Sequence, residues 1–161
     1  MPKLYLLRHA QAASDFSTED KDRPLTQHGI IQAQFLATYI TNIQKTLCSS
    51  ATRTQMTAQA IKDASGNLGT IEYQDHLYNA PVGDILNAIQ TCGSENLLVI
   101  AHNPGIHMLA RSLADKGDKV KLEKLNIFYN PATLSIFDCD IENWRDIQPQ
   151  NNTLLDLIIP D

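Results

Sequence analysis

The sequence predicts an α/β fold with a mostly parallel central sheet, and three observations support this prediction. Short apolar runs at residues 4–7, 46–48 and 96–101 are typical of buried strands. Between and after these runs, apolar residues recur at the three- and four-residue spacing of helices. Polar residues follow each run directly, at the carboxyl end of the predicted strand. In an open α/β sheet this is the end at which ligands bind.

Length and composition are those of a single domain, which we expect to span residues 1–161. Of the 161 residues, 43% are hydrophobic and 19% are charged, as in an ordinary globular protein. The formal net charge of −5 argues against a general nucleic-acid binder, whose surface is basic. The apolar runs are too short for a signal peptide or a membrane span, so we expect a cytoplasmic protein. The three scattered cysteines lack metal-ligand spacing and are expected to be free, buried thiols: Cys48, Cys92 and Cys139.

The first strand lies within residues 2–10 and ends abruptly at Arg8 and His9. A guanidinium at the carboxyl edge of a sheet suits a phosphate or a carboxylate. A histidine beside it is a candidate nucleophile or base. An Arg-His pair is common by chance, so this pair is weak support for a site by itself. The acidic residues 11–23 that follow are expected to form a surface loop able to fold over the strand end.

The first two helices are predicted on either side of a second strand at residues 46–48. Thr26 is the expected N-cap of the first helix, whose apolar spacing continues to Ile43. The second helix is expected over residues 51–64, with Arg53 in its first turn, where the helix dipole disfavours a cation. An anion bound at that point would reconcile the two. The alternative is an ordinary solvated arginine on the surface.

The clearest strand covers residues 96–101 and is followed by His102. Asn103 is a good N-cap and Pro104 a good first residue for the next helix. His102 is therefore expected at a strand end and directly before a helix. The other expected elements are a third strand, a third helix, a charged connection, a further strand, a turn and a last apolar segment, at residues 70–73, 82–89, 116–124, 132–137, 142–146 and 154–159.

Four of these side chains are expected to meet at the carboxyl edge of the sheet: Arg8, His9, Arg53 and His102. Two guanidiniums and one imidazole would form a pocket for the oxygens of a tetrahedral phosphoryl group. The remaining imidazole could attack phosphorus and form a phosphohistidine intermediate that water hydrolyses. The cationic wall would favour the neutral, nucleophilic form of His9, and the arrangement requires no metal. The other histidines are expected at surface or packing positions: His28, His76 and His107.

Several short motifs follow one another along the chain. They are Leu7-Arg8-His9-Ala10; Arg23-Pro24-Leu25-Thr26 with Gly29; Ser49-Ser50-Ala51-Thr52-Arg53-Thr54-Gln55 with Thr57-Ala58; Leu77-Tyr78-Asn79-Ala80; Ala101-His102-Asn103-Pro104-Gly105; and Tyr129-Asn130-Pro131-Ala132-Thr133. Together they resemble the histidine phosphatase superfamily, and within it the small SixA-type phosphohistidine phosphatases. The resemblance covers nearly the whole chain, in the right order.

The resemblance implies a three-layer α/β sandwich without a large cap insertion. It implies a phosphatase that needs no cofactor or metal and hydrolyses phosphohistidine on proteins. His9 would be the phosphorylated nucleophile, and Ser14 or Asp15 is a further candidate for the loop that lines the site. The residues implied to hold the phosphoryl oxygens are Arg8, Arg53 and His102.

Two departures from the family pattern bear on the chemistry. Ala10 replaces the usual glycine, which is tolerable unless the backbone there needs a positive φ. Mutase-like relatives carry a glutamate general acid after the third strand, and the corresponding place here falls near Asn79. Asp75 and Asp84 are the acids nearby in the sequence, and neither matches the motif.

The missing acid favours a P–N bond as the substrate. An alkoxide leaving from a phosphate ester is a strong base and needs a proton in the transition state. Imidazole is a far weaker base, with a ring pKa near ~6.5, and leaves with little help. The short segment between Arg53 and His102 has no room for a large cap, so a phosphohistidine on another protein could enter.

Three functions are therefore considered. The first is a protein phosphohistidine phosphatase acting on phosphorylated partners, such as the phosphotransfer domains of signalling relays. The second is a phosphatase for small phosphomonoesters, which would need a general acid. The third is a module that binds phosphorylated partners without turnover, against which the presence of His9 and both arginines counts. No nucleic acid or membrane is expected as a partner.

Overall fold

The computed structural model describes residues 1–14, 17–64 and 66–161, and within them seven strands form one sheet. The strands are Lys3–Arg8 (β1), Lys45–Ser49 (β2), Thr70–Gln74 (β3), Leu97–Ala101 (β4), Ala114–Gly117 (β5), Leu134–Cys139 (β6) and Asn152–Ile158 (β7). Their order across the sheet is β3-β2-β4-β1-β6-β7-β5, which places β4 and β1 beside each other in its interior.

The sheet is mostly parallel, as predicted. Parallel pairing joins β3 to β2, β2 to β4 and β4 to β1, and it joins β7 to β5 at the other edge. Among the described strands, only β6 runs antiparallel to its neighbours, β1 and β7. β4 is buried along its whole length. An unbroken apolar sequence is what a parallel strand covered on both faces requires.

Helices cover both faces of the sheet, so the predicted three-layer architecture is confirmed. Val99 of β4 packs with α3, α4 and α5 in one core cluster. Its neighbour Ile100 packs with α1 and α2 in the other. Successive residues of a strand point to opposite faces, which explains the division. The helices are Gln27–Phe35 (α1), Thr52–Asp63 (α2), Val82–Gln90 (α3), Gly105–Leu113 (α4) and Lys119–Ile127 (α5).

The segment 116–124, expected to be a charged connection, instead contains the end of β5 and the start of α5. This prediction was wrong. Of the residues of α5, all of them described, only Leu125 is buried, so the sequence lacks the apolar stripe that identifies a helix. Asp118 caps α5 by accepting a hydrogen bond from the backbone N–H of Lys121 at 3.0 Å.

The first helix starts where it was predicted but ends earlier. The Thr26 hydroxyl accepts a hydrogen bond from the Gly29 backbone N–H at 3.0 Å, as expected of an N-cap. α1 ends at Phe35 and a 3₁₀ turn follows over Leu36–Thr38. Ile43 is buried although it lies beyond the helix. Apolar spacing reports which side chains reach the core, and the backbone can change conformation without altering that pattern.

The three cysteines are free and buried, as predicted. Burial raises the pKa of Cys48 and of Cys139 to about 12, so these thiols stay protonated and unreactive at neutral pH. In the part of the chain that the structure describes, no helix has the length and apolar character needed to cross a membrane.

Candidate active site

A cavity of about 320 Å³ opens at the carboxyl ends of β1, β2 and β4. Parallel pairing sets Arg8 of β1 opposite Ala101 of β4, so the next residues, His9 and His102, leave the two strands side by side. Their ring centroids are 5.3 Å apart. The cavity brings together all four predicted site residues. It is lined by Arg8, His9, Gln11, Ala12, Asp20, Arg23, Arg53, Asn79, His102, Asn103 and Pro131.

His9 is a buried, neutral imidazole with a defined proton position. Its Nδ1 lies 2.7 Å from the carbonyl oxygen of Ala10. A carbonyl only accepts hydrogen bonds, so we assign the proton to Nδ1, which leaves a lone pair on Nε2. Burial lowers the pKa of His9 to about 4, the bond to Ala10 opposes this, and the charges of Arg53, Arg8 and Arg23 lower it further. The ring is therefore nucleophilic across the neutral pH range.

The backbone after His9 is held by α2. The N–H of Ala10 donates to the hydroxyl of Thr57 at 3.0 Å. That hydroxyl donates in turn to the carbonyl of Arg53, one helical turn earlier, at 2.7 Å. Ala10 is fully buried and does not have a positive φ, so alanine replaces the family's glycine here without backbone strain. The same helix thus positions both the loop after His9 and the Arg53 side chain.

In the Arg8 guanidinium, Nη1 has a hydrogen-bond partner and Nε has none among the described residues. Its Nη1 donates to the carbonyl of Tyr129 at 3.0 Å. Tyr129 is itself fixed, since its hydroxyl donates to the carbonyl of Leu6 at 2.7 Å. The Nε of Arg8 is buried and has no partner among the described residues. Burial and then the charge of Arg53 lower the pKa of Arg8.

Arg53 is 3% exposed, so it is not a solvated surface side chain. Its Nη1 donates to the backbone carbonyl of Asp20 at 2.7 Å, and its Nη2 donates to the carboxylate of the same residue at 3.1 Å. The anion expected at the start of α2 is thus a carboxylate of the chain itself. The Nε of Arg53 is buried without a partner among the described residues.

His102 is 2% exposed and lies one residue beyond β4. Its Nε2 is 2.8 Å from the hydroxyl of Ser49, at the end of β2. Its other ring nitrogen, Nδ1, has no partner within the described residues. Burial lowers the pKa of His102 to about 3, and the charges of His9 and Arg53 act in the same direction. Pro104 occupies the N-cap position of α4, one residue before the helix begins, rather than the first helical position predicted for it.

Asp20 is a site residue that sequence reasoning did not single out. Besides Arg53, it accepts hydrogen bonds from Arg23 at 3.1 Å and from the hydroxyl of Tyr78. The bond from Tyr78 is the largest cause of a pKa lowered to about 2, with Arg53 and Arg23 adding to it and burial opposing it. The acidic character of residues 11–23 suggested a loop over the strand end, but nothing in the pattern distinguished Asp20 from its acidic neighbours.

The acids considered from the sequence lie elsewhere. Asp84 lines a different cavity together with His76. Asp75 is exposed and pairs with Lys21 at 3.5 Å. Asn79 lines the site, with a positive φ of 48°. Among the loop candidates, Ser14 is exposed and outside the cavity lining, and Asp15 lies outside the described residues.

The cavity is built to receive an anion. Three buried nitrogens of residues that line it have no partner among the described residues: Arg8 Nε, Arg53 Nε and His102 Nδ1. Buried N–H groups are nearly always paired, so a ligand with several acceptor oxygens is the expected partner. In the described residues, no three His, Cys, Asp or Glu side chains are grouped as a metal site would require.

Fold and site together define a class: a three-layer α/β phosphatase with a histidine at the end of its first strand. The family model of the histidine phosphatase superfamily (branch 1) matches residues 4–88, more than half of the chain. The chain belongs to this superfamily. The matched segment includes Arg8, His9 and Arg53, and it ends before His102. Comparison with curated protein sequences found no match.

Solved structures of similar proteins cover the chain almost completely. A proposed phosphohistidine phosphatase SixA from Nakamurella multipartitia is 24% identical, with a TM-score of 0.85 over 99% of this chain and 96% of that one. A proposed SixA from Agrobacterium tumefaciens is 26% identical, with a TM-score of 0.77 over 99% of both chains. A protein histidine phosphatase SixA complexed with tungstate is 21% identical, with a TM-score of 0.75 over 98% of this chain and 97% of that one.

Proposed function

We propose that this protein hydrolyses phosphohistidine on other proteins through a covalent phosphohistidine at His9. One observation carries the proposal. Three buried nitrogens without partners among the described residues belong to side chains that line the same cavity as the neutral ring of His9. A phosphoryl group has enough acceptor oxygens to satisfy all three donors, and the ring supplies a nucleophile within the same space.

In the first step, the lone pair on His9 Nε2 attacks phosphorus opposite the leaving nitrogen. The P–N bond to the substrate breaks as the new P–N bond to His9 forms. The hydrogen bond from His9 Nδ1 to the Ala10 carbonyl, at 2.7 Å, keeps the attacking nitrogen unprotonated and stabilises the positive charge that the ring gains. The substrate ring carries a proton on its other nitrogen, so it leaves as neutral imidazole with the electron pair of the broken P–N bond, and the enzyme supplies no proton.

In the second step, water attacks the phosphohistidine and releases inorganic phosphate. Arg8 and Arg53 stabilise the charge that gathers on the phosphoryl oxygens in both steps. Two permanent guanidinium charges perform the task that a metal ion performs in other phosphatases. We therefore propose that the reaction is metal-independent.

The preference for a P–N bond is supported by the acid–base character of the site. The place that the resemblance assigns to a general acid carries Asn79, which has no acidic proton. Asp20 is a carboxylate at the cavity, but its pKa of about 2 means that it is ionised at neutral pH. An alkoxide would leave this site without a proton donor, whereas imidazole does not need one.

A protein substrate is supported by the short connections that follow β3 and β4. Residues 75–81 join β3 to α3, and residues 102–104 join β4 to α4. Segments of this length do not form a cap over the site. We propose that a phosphorylated protein, such as the phosphotransfer domain of a cytoplasmic signalling relay, presents its phosphohistidine to this opening.

The test compares two substrate classes in the presence of EDTA. A protein bearing phosphohistidine and a panel of unactivated phosphate esters are supplied to the wild-type chain and to His9→Ala. We expect rapid release of phosphate from the protein, little from the esters, and neither with the variant. A burst of phosphate transfer to the enzyme, detected as phosphohistidine after alkaline quench, should also depend on His9.

Efficient ester hydrolysis by the wild type would overturn the P–N preference and favour a small-molecule phosphatase. Loss of turnover in EDTA that added metal restores would overturn metal independence. Binding of phosphoprotein without release of phosphate from any substrate would mean that the chain is a binding module.

A further inference from the structure

Ser49 is a buried hydroxyl in contact with one of the site histidines. It is the last residue of β2 and is fully buried. Its Oγ lies 2.8 Å from Nε2 of His102. It does not line the cavity itself, and it reaches the site through its contact with His102.

The direction of this hydrogen bond follows from the other partners of each group. Ser49 Oγ accepts from the backbone N–H of Ala51 at 3.3 Å. Its own proton has one available acceptor among the described residues, which is Nε2 of His102. A hydroxyl has one proton to donate, and a neutral imidazole has one nitrogen that accepts and one that donates.

The two possible tautomers of His102 differ in how many buried groups they leave unpaired. If Nε2 carries the proton, then the Ser49 proton and the Nδ1 lone pair are both left unpaired. If Nδ1 carries it, the Ser49 hydroxyl donates to Nε2 and only the Nδ1–H group lacks a partner. Each unpaired buried polar group costs free energy, so the second arrangement is favoured.

We propose that Ser49 is a positioning residue that holds His102 in the Nδ1–H tautomer, so that Nδ1 donates a hydrogen bond to the phosphoryl group. The identity of this ligand rests on the proposed function, whereas the tautomer does not. The opposite tautomer would turn a lone pair toward an anion, which repels it. The hydroxyl of Ser49, at the end of β2, thus sets the tautomer of His102 before a ligand binds.

The two histidines of the site would then have the same tautomer but different roles, His9 as a nucleophile and His102 as a hydrogen-bond donor. In His9 the Ala10 carbonyl accepts from Nδ1–H and leaves the Nε2 lone pair for attack on phosphorus. In His102 the Ser49 hydroxyl donates to Nε2 and leaves Nδ1–H for a phosphoryl oxygen. Because burial lowers the pKa of His102 to about 3, its ring is neutral at pH 7 and carries a single proton, so the question of its tautomer arises across the neutral pH range.

The test is a long-range ¹H–¹⁵N NMR spectrum of the full chain at pH 7, with the His102 signals identified by their loss in His102→Ala. We expect wild-type His102 to show a protonated Nδ1 and an unprotonated Nε2. Ser49→Ala removes the donor, so the Nε2–H tautomer should gain population. The affinity of Ser49→Ala for tungstate, used as a phosphate analogue, should fall on the order of tenfold. This is less than the ~100-fold loss expected if the His102 donor were removed altogether.

Thr46→Val is the matched control, since Thr46 is an equally buried hydroxyl of β2 that donates to the Leu68 carbonyl at 2.6 Å. It should leave the His102 tautomer and the tungstate affinity unchanged. Ser49→Thr keeps the hydroxyl and, where it folds, should keep the Nδ1–H tautomer.

A wild-type spectrum with the proton on Nε2 of His102 would overturn the inference without any variant. An unchanged tautomer in Ser49→Ala would also overturn it. A tautomer change with weakened tungstate binding would support the inference, even if no phosphohistidine or ester substrate were turned over. The failure of the proposed function is thereby separable from the failure of this inference.

Discussion

Two cavities of this molecule differ in size, and the smaller one is the proposed site of chemistry. The larger encloses about 560 Å³ between α1, α5 and the carboxyl-terminal segment. Several of its polar side chains are paired: Lys121 pairs with Asp156 at 2.9 Å, and the Gln32 amide accepts from the Gln11 backbone and donates to the Asp161 carbonyl. The smaller cavity, at the ends of β1, β2 and β4, encloses about 320 Å³.

The smaller cavity differs from the larger one because some of its lining residues have buried polar atoms without hydrogen-bond partners among the described residues. Buried side-chain atoms without partners among the described residues occur on four of its lining residues, and on none that line the larger cavity. These four are Arg8, Arg53, His102 and Asn103. Burying a polar atom without a partner costs free energy of folding, so a group of such atoms indicates a ligand-binding site. Volume alone does not carry that information.

The strongest test of the comparison is His9→Ala, which removes the proposed nucleophile. We expect turnover of phosphohistidine to fall by at least about a thousandfold, because the covalent route is lost. The exposed residue His28 provides a matched control, and His28→Ala should retain wild-type turnover. Rates are measured as phosphate release, with circular dichroism to establish that both variants fold. Near-normal turnover in His9→Ala would remove His9 from the mechanism.

The next test removes one cation from the smaller cavity. Arg53→Ala should weaken tungstate binding by roughly 10- to 100-fold, because charge-assisted hydrogen bonds to an anion are lost. Arg111 is an exposed arginine of α4, and Arg111→Ala should bind tungstate as the wild type does. Isothermal titration calorimetry measures both affinities. If Arg53→Ala bound tungstate normally, Arg53 would serve only to hold Asp20.

The neutral histidines of the site also predict how stability depends on pH. In the fold the pKa values of His9 and His102 are about 4 and about 3, below the ordinary ~6.5. Below pH ~6.5 the unfolded chain therefore binds more protons than the folded chain, so stability is full above that pH and falls as the pH drops toward 4. The expected slope is about 1.4 kcal/mol per pH unit for each histidine.

Urea unfolding at several pH values between 7 and 4.5 measures this slope. His9→Ala removes one of the two groups and should show a shallower dependence on pH than the wild type. Equal slopes in the two proteins would mean that His9 titrates in the fold as it does in the unfolded chain.

The smallest effect is expected at the larger cavity. Phe35 lines it and is 52% exposed, so Phe35→Ala should change tungstate affinity by less than about twofold, as surface substitutions usually do. A tenfold loss measured by calorimetry would show that the two cavities are coupled and would undo the distinction drawn between them.

The site was largely predictable because its parts follow strands and helices that are easily recognised. His9 and His102 each come after an apolar run, and Arg53 lies in a helix start that disfavours it. Asp20 was not predictable, since it lies in a loop and reaches Arg53 across 33 positions of the chain. α5 was missed because Leu125 is the single buried residue among its residues, and one buried position leaves no periodic pattern.

The sequence by itself determined the elements, their alternation and the residue types that end the strands. These depend on local propensity and on apolar periodicity, which are read along the chain. Only the tertiary structure decided which polar atoms are paired and which are left for a ligand. That depends on contacts between distant segments, such as Ser49 with His102, and on burial that lowers the pKa of both site histidines. Hydrogen-bond partners and desolvation are properties of the packed molecule, so no local pattern encodes them.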